Sequence, residues 1–403
     1  LGAVALGGVA IIANLGDLGQ TIDGALNPAA SERALNETNA KVEEVLVLLK
    51  QNSRQQLSSE AEAALRGSIQ RLLEAQDGAR GAAADKLADG DIEGALAALN
   101  AAATEGEKAA AGLAETWQEI GALAFMGDTF TAMDAYKRAA ELAPGNMQAR
   151  SMLGSLYLRT GRFDEAERVF QNMLYDADDD PALASALAKL GVLALARDVL
   201  ERAEIHIRDS LEINEKTGNV VAQAQDLNDL GDIYRMNGDF AKAEQYMRRA
   251  LKMAEDANHL EGEANVHLRL GALEHDRRRL PQAVAEYTRS REISETIGDK
   301  EAVAAALNSL AAVELDRGRI DLAKTLLDQS LKLAQDIAAR ESEAFSLGLL
   351  GEIAEKRGDK VAAINHYRDA MVIYRQNGQP ALAAPFGPMM ARLGATPSPE
   401  GPE

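Results

Sequence analysis

The side chains that could catalyse a reaction or bind a metal in this chain are its histidines and carboxylates. The five histidines are spread along the sequence, and the His-Glu-x-x-His motif of zinc proteases does not occur. His267 and His275 could share a helix beside Asp276, but two helical turns separate the imidazoles and zinc would need a further ligand. Cysteine is absent, which excludes disulfides and thiolate ligands. We therefore expect no metal and no other cofactor.

Other catalytic and nucleic-acid-binding patterns are also weak. With 63 acidic against 43 basic residues, most carboxylates are expected on solvated helix faces. No glycine-rich segment follows a strand pattern, so nucleotide-binding fingerprints are not supported. The net charge of −20 would repel DNA and RNA, because such binding depends on neutralising phosphates. We predict a protein that is not an enzyme and binds no nucleic acid.

Residues 224–256 show which elements build the fold. Apolar or small residues from Leu227 to Tyr234 recur three and four positions apart, as on one face of a helix. The turn around Gly238 ends this helix, because Gly accepts the positive φ of a helix C-terminus. A second helix with the same spacing follows from Phe240. One such hairpin cannot bury both of its faces, so it needs copies on either side.

Copies of this hairpin recur with a period near 40 residues. The Leu-Gly pair at 230–231 recurs in other copies. The glycines at this repeat position are Gly154, Gly191, Gly231, Gly271 and Gly351. The small residue of the second helix forms a longer column, consisting of Ala95, Ala132, Ala166, Ala203, Ala243, Ala283, Ala323 and Ala363. We expect these small residues where two helix axes come close. Such a period indicates a solenoid, stabilised largely by interfaces between neighbouring repeats.

The repeat resembles the tetratricopeptide repeat. One copy matches the pattern of that family at Leu153, Gly154, Tyr157, Gly161, Phe163, Ala166 and Phe170. The 40-residue period is similar to the variety found in kinesin light chains and bacterial peptide-responsive regulators. The resemblance implies an all-α fold, a right-handed α-solenoid of about seven to eight helix hairpins with an N-terminal helical extension. Glu274 and Glu314 stand where the pattern has an aromatic residue, and a buried carboxylate there would need a partner.

The chain is expected to comprise four segments. Residues 1–24 begin with an uncharged stretch, 1–16, and because the first residue is Leu we expect upstream residues that extend it towards the roughly 20 of a membrane helix. A membrane anchor is the favoured interpretation; a buried helix or a signal-peptide remnant, in a soluble cytoplasmic protein, is the alternative. Residues 25–79 are expected to form a helical linker or hairpin. Residues 80–378 form the solenoid, and 379–403 a cap helix and a disordered tail.

The resemblance also implies where a partner binds, because in this family the first helices line the concave face. The matching positions are Asn228, Asp229, Asp232, Arg235, Asn265, Arg269, His275, Asn308 and Asp316. We expect the side chains of Asn228, Asn308, Arg235 and Arg269 to be exposed. An amide such as Asn228 can both donate to and accept from an extended peptide backbone. The alternative is that polar residues occur here simply because the helix face is exposed.

Two functions of different classes are consistent with this sequence. The favoured one is a non-enzymatic scaffold or adaptor, tethered to a membrane, that captures a protein or peptide segment in the concave groove. Because Arg235 and Arg269 are basic in an acidic molecule, this segment is expected to be acidic or extended. The alternative is a structural protein that assembles into a homo-oligomer through stacked solenoids and N-terminal helices.

Overall fold

The structure is a computed structural model that describes residues 38–49, 59–75, 78–105, 110–125, 128–337, 339–377 and 379–395. Across these ranges the regular structure is helical. The described residues form two compact units, one within residues 38–105 and the other made mainly of residues 110–395. None of the helices in these ranges combines the length and apolar character needed to cross a bilayer. The predicted anchor, residues 1–16, lies outside them.

The first unit is built from short helices. Helix α1 covers residues 38–49, and it is followed by α2 (Ser59–Glu74), α3 (Gly78–Ala88) and α4 (Ile92–Glu105). Leu46 and Leu49 of α1 and Leu65 and Ile69 of α2 are almost completely buried. Helices α3 and α4 pack as a hairpin.

The second unit is a row of seven helix hairpins. In chain order they are α5 (Ala110–Ala124) with α6 (Thr129–Leu142), α7 (Met147–Arg159) with α8 (Phe163–Asp176), α9 (Asp180–Ala196) with α10 (Leu200–Thr217), α11 (Val220–Met236) with α12 (Phe240–Asp256), α13 (Leu260–Asp276) with α14 (Leu280–Ile297), α15 (Lys300–Asp316) with α16 (Ile320–Asp336), and α17 (Arg340–Lys356) with α18 (Lys360–Gln376). From α7 onward, the first helices of neighbouring hairpins also contact one another. The first helices therefore form the inner, concave face of this unit. The predicted all-α solenoid is confirmed.

Small residues let the two helices of each hairpin approach closely. All eight alanines of the predicted column are fully buried. A Cβ atom added to Gly271 would lie 2.5 Å from Cδ1 of Tyr287, and one added to Gly231 would lie 2.6 Å from Cγ of Met247. Each glycine thus leaves room for a large side chain of the second helix. The predicted close approach at these positions is confirmed.

Left-handed residues end the first helices at equivalent positions. Gly238 has φ 77°, as predicted, and its equivalent Gly318 has φ 74°. At the same turn in other hairpins, Asp198 and Arg278 adopt φ 57° and 60° without being glycine. The turn geometry is therefore kept even where the residue type is unfavourable.

The two carboxylates that replace an aromatic residue are buried and paired. Glu274 is 7% exposed and accepts a 2.8 Å hydrogen bond from Nη1 of Arg277. Glu314 is 4% exposed and accepts one of 2.8 Å from Nη1 of Arg317. A second arginine, two residues further on, approaches each carboxylate as well. The prediction that a carboxylate at this position needs a partner is confirmed.

Two short helices follow the last hairpin, α19 (Pro380–Ala383) and α20 (Phe386–Arg392). The Phe386 ring stacks on Tyr374 with 6.0 Å between ring centroids, and Met389 and Met390 pack with it against α18. These side chains cover part of the apolar surface that has no further hairpin beside it.

Replacing Ala243 by Glu should disrupt its hairpin. Ala243 is fully buried, so Ala243→Glu would place an unpaired carboxylate between two helices at a cost of about 3–5 kcal/mol. Hydrogen exchange should show lost amide protection centred on residues 220–256 and the adjoining hairpins, because repeats couple mainly to their neighbours. The matched control is Ala241→Glu, at an exposed position of the same helix. Unchanged protection in the Ala243 variant would contradict this packing.

Candidate functional site

An open cavity of about 610 Å³ lies on the first-helix side of the second unit. Its walls come mainly from α9, α11 and α13, with Ser210 and Asn214 contributed by α10. Four residues predicted to bind a partner lie together in its lining: Asn228, Asp229, Asn265 and Arg269. The cavity is therefore the place where the structure gathers predicted residues from two different repeats.

A network of ion pairs borders the cavity and joins α11 to α13. Arg235 contacts Asp232 at 2.7 Å and Asp276 at 2.5 Å. Arg269 forms a close contact with Asp232 and lies 3.5 Å from Asp229. Three carboxylates thus surround two guanidinium groups. The basic surface expected from Arg235 and Arg269 is neutralised within the protein, so it gives no reason to prefer an acidic partner.

The other predicted residues lie outside the cavity lining. The Nε2 atom of His275 is 2.9 Å from Oδ2 of Asp316, which also accepts a 2.6 Å hydrogen bond from Arg278. Asn308 bonds to the next hairpin, where Nδ2 donates to the Ser342 carbonyl at 3.1 Å. These residues connect neighbouring first helices of the solenoid.

The expected exposure is wrong for Asn228 and Asn308. They are only 7% and 3% exposed, and Asp232, also among the predicted site residues, is 8% exposed. The reason is the contact between successive first helices, which covers part of the face that a single helix would show to solvent. By contrast, Asn265 is exposed.

Asp226 is a functional candidate that sequence reasoning missed. It lines the cavity but is only 2% exposed, and it accepts hydrogen bonds from Ser210 Oγ at 3.0 Å and Asn214 Nδ2 at 2.8 Å. Burial raises its pKa to about 7, against the opposing effect of these two donors. The sequence did contain a signal for it. The residues at the same repeat position 40 and 80 residues later are the apolar Val266 and Ala306, so a carboxylate at position 226 departs from the repeat pattern.

Asp229 is the second carboxyl group of the lining with a raised pKa. Burial raises its pKa to about 6, Arg269 acts to lower it, and nearby Asp232 raises it further. The contact with Arg269 is long because the same guanidinium also approaches Asp232 closely. The negative charge of Asp229 is therefore only weakly neutralised by Arg269, inside a partly enclosed polar space.

Asn228 and Asn308 occupy the same repeat position but differ in their bonding. Oδ1 of Asn308 accepts a 2.7 Å hydrogen bond from Oγ of Ser346. Val266 holds the position equivalent to Ser346 in the repeat after Asn228, and its side chain has no donor. Within the described residues, Oδ1 of Asn228 is buried and has no hydrogen-bond partner. A buried acceptor without a donor is costly and calls for an explanation.

The histidines do not assemble a metal site in the part of the chain that the structure describes. Nδ1 of His267 lies 2.6 Å from Oε2 of Glu286 on the adjoining helix, whereas His275 faces Asp316. Across the described ranges, no three His, Asp or Glu side chains are grouped so that they could hold a metal ion.

Replacing Asp226 by Asn should stabilise the protein at alkaline pH. Because the pKa of Asp226 is about 7 when folded and near 3.8 when unfolded, the native state binds more protons between about pH 4 and 7. The free energy of unfolding therefore falls as the pH rises through this window. Ionisation of Asp229, whose pKa is about 6, lowers it further up to about pH 6. Asp226→Asn should restore on the order of 2–4 kcal/mol at pH 8, and less at pH 5.

The measurement is urea unfolding followed by circular dichroism at both pH values. Asp336→Asn, at an exposed position of α16, is the matched control and should shift neither midpoint. A loss of stability in the Asp226 variant at pH 8 would show that the ionised carboxylate is needed for folding.

The comparisons with known proteins agree with this architecture. Family models described as tetratricopeptide repeat match residues 126–190, 182–256, 262–336 and 302–376. A comparison with curated protein sequences found no match. One similar solved structure is a Rap protein complexed with Competence and Sporulation Factor, with a TM-score of 0.55 and 14% identity over 83% of this chain and 98% of that chain.

Two further solved structures have comparable similarity. A tetratricopeptide repeat protein from Parabacteroides merdae has a TM-score of 0.51 and 17% identity, over 70% of this chain and 99% of that one. A signal transduction ATPase with a tetratricopeptide repeat sensor, from Pyrococcus horikoshii, has a TM-score of 0.50 and 15% identity, over 84% of this chain and 50% of that one. Identities this low show the fold alone, and the narrower likeness to kinesin light chains stays a prediction. From the matched repeats and the hairpin architecture, the chain belongs to the tetratricopeptide repeat family.

Proposed function

We propose that this protein is a non-enzymatic interaction scaffold that captures an extended protein segment in its concave groove. The observation that carries the proposal is the gathering of Asn228, Asp229, Asn265 and Arg269 around one open polar cavity on the first-helix face. A folded core has no need for such a space, because protein interiors are otherwise closely packed. A binding site needs both the space and the polar groups.

The polar groups of the cavity suit an extended peptide. Gln225 and Asn265 lie in the lining on two successive first helices, and both side chains are exposed. Their amides can each donate to a peptide carbonyl and accept from a peptide N–H. Two such groups on rigid helices can hold a backbone while leaving its side chains to determine specificity. A Rap protein with a similar fold was solved with Competence and Sporulation Factor, which supports binding of a partner by this type of solenoid.

The arrangement favours binding over catalysis. The carboxyl groups of Asp226 and Asp229 have raised pKa values, which is a feature of many active sites. However, Asp226 is engaged by Ser210 and Asn214, and both Asp226 and the Ser210 hydroxyl beside it are buried, so neither group is open to a substrate. The same perturbations arise whenever carboxylates are buried in a polar interface.

Removing the two exposed amides of the groove should weaken partner binding. A tagged full-length chain is first used to isolate partners from its own cells, and these are identified by mass spectrometry. Gln225→Ala combined with Asn265→Ala should then lower the affinity for the identified partner by about 5- to 150-fold, from two lost hydrogen bonds of about 0.5–1.5 kcal/mol each. Folding should be unaffected, because both side chains are exposed.

The control is a pair of amides on second helices, Gln245→Ala with Gln282→Ala, both at exposed positions outside the cavity lining. This variant should bind as the unchanged protein does. If the groove variant also keeps full affinity, capture in the concave groove is wrong.

Residues 1–16 are proposed to tether this scaffold to a membrane. The support is their uncharged, apolar composition, which favours the bilayer interior. The natural chain should then sediment with membranes and resist extraction by alkaline carbonate. A chain beginning at Ser31 should be soluble and keep its helical circular dichroism. Recovery of the natural chain in the soluble fraction would refute the tether without affecting the groove.

A further inference from the structure

The cavity between α9, α11 and α13 has a chemistry that selects one class of side chain. We propose that it accepts a lysine or arginine side chain of the captured segment, with Asp229 as the counter-ion and Oδ1 of Asn228 as a hydrogen-bond acceptor. This inference rests on the proposed function, since it presumes that a segment enters the groove. It reverses the acidic partner that the positions of Arg235 and Arg269 suggested.

The first argument is the charge balance of the lining. The cavity is lined by the acidic residues Asp226, Asp229 and Glu261 and by the basic residues Lys189 and Arg269, and Asp226, with a pKa of about 7, is only partly ionised at neutral pH. The positive charge of Arg269 is shared with Asp232, which does not line the cavity, so less of it is available to Asp229. An additional cation would therefore enter a field that favours it, and an additional carboxylate would be repelled.

The second argument is the buried acceptor of Asn228. This side chain lines the cavity, is 93% buried because its exposure is 7%, and has no hydrogen-bond partner for Oδ1 among the described residues. The equivalent oxygen of Asn308 accepts a hydrogen bond from Ser346, so an asparagine at this repeat position can be fully paired within the solenoid. A ligand that donates a hydrogen bond would remove the penalty, whereas a carboxylate could not.

The third argument is the match between donors and acceptors. An ammonium group carries three donors and a guanidinium group five, and neither has an acceptor. The two groups facing them would be an unpaired amide oxygen and the weakly compensated carboxylate of Asp229. A neutral serine or glutamine side chain could donate a hydrogen bond to Asn228 but would not neutralise the charge of Asp229. A basic side chain satisfies both groups, and its apolar stem can lie along Ala188 and Val221 in the lining.

The experiment selects binders from a displayed library of random nonapeptides with the full-length chain. Selected peptides are synthesised and their affinities are measured by calorimetry. They should share a lysine or arginine at one position, and replacing it by glutamine should weaken binding roughly 10- to 100-fold, the usual effect of losing a hydrogen-bonded charge. Asp229→Asn should weaken the parent peptide by a similar factor but the glutamine peptide by less than about threefold. Asp336→Asn, an equal change of charge at an exposed site on α16, should alter neither affinity.

The possible results separate this inference from the proposed function. One outcome would overturn the basic-side-chain proposal and retain the groove. In it, the selected peptides lose binding to the Gln225→Ala/Asn265→Ala variant, but they share no basic residue or are insensitive to Asp229→Asn. A library without any binder that depends on the groove residues would overturn both. Circular dichroism and urea midpoints of each variant verify that a lost affinity does not come from unfolding.

Discussion

The structure depends on the close approach of two helices within each hairpin, made possible by glycine and alanine. Where Gly271 faces Tyr287, even one added methyl group would overlap the ring. The fully buried alanine column, including Ala243 and Ala283, brings the second helix equally close from its own side. Large side chains of the second helices, such as Phe170 and Tyr367, can therefore pack against Gly154 and Gly351 of the first helices almost without exposure.

The chemistry of the concave face follows from the stacking of successive hairpins. First helices that contact each other leave no continuous polar surface, so the polar positions beside the Leu-Gly pair become interface residues. Most of them are then satisfied across the interface, as Asn308 is by Ser342 and Ser346. Others form ion pairs that link helices, as Arg235 does between Asp232 and Asp276. At the cavity this mutual satisfaction is incomplete, because Oδ1 of Asn228 has no hydrogen-bond partner among the described residues.

The sequence allowed the fold to be predicted more fully than the site. Repeated glycine and alanine positions such as Gly231 and Ala243 are a property of spacing alone, and the structure confirms both the helices and their close approach. The buried Glu274 and its need for a partner were also predictable, because one residue departed from a periodic pattern. Whether a polar side chain is exposed depends instead on the neighbouring hairpin, which is why the expectation failed for Asn228 and Asn308. For the same reason, the sequence alone could not show that Asp232 of the preceding hairpin neutralises the charge of Arg269.

A repeat protein offers an internal reference that a unique fold lacks. Asn228 and Asn308 have the same backbone environment, so a difference in their bonding must come from the residues around them. The replacement of a serine at one site by Val266 at the other removes a donor and keeps the acceptor. The hydrophobic gain from burying a valine, about 1.5–3 kcal/mol, can offset the cost of one unpaired oxygen, about 1–3 kcal/mol. Folding alone therefore tolerates this exchange without requiring it. Nearby, burial raises the pKa of the Asp229 carboxyl group, whose contact with Arg269 is long at 3.5 Å. The unpaired oxygen of Asn228 and the long contact of Asp229 with Arg269 lie at the same cavity, and a donor brought by a partner would satisfy both groups.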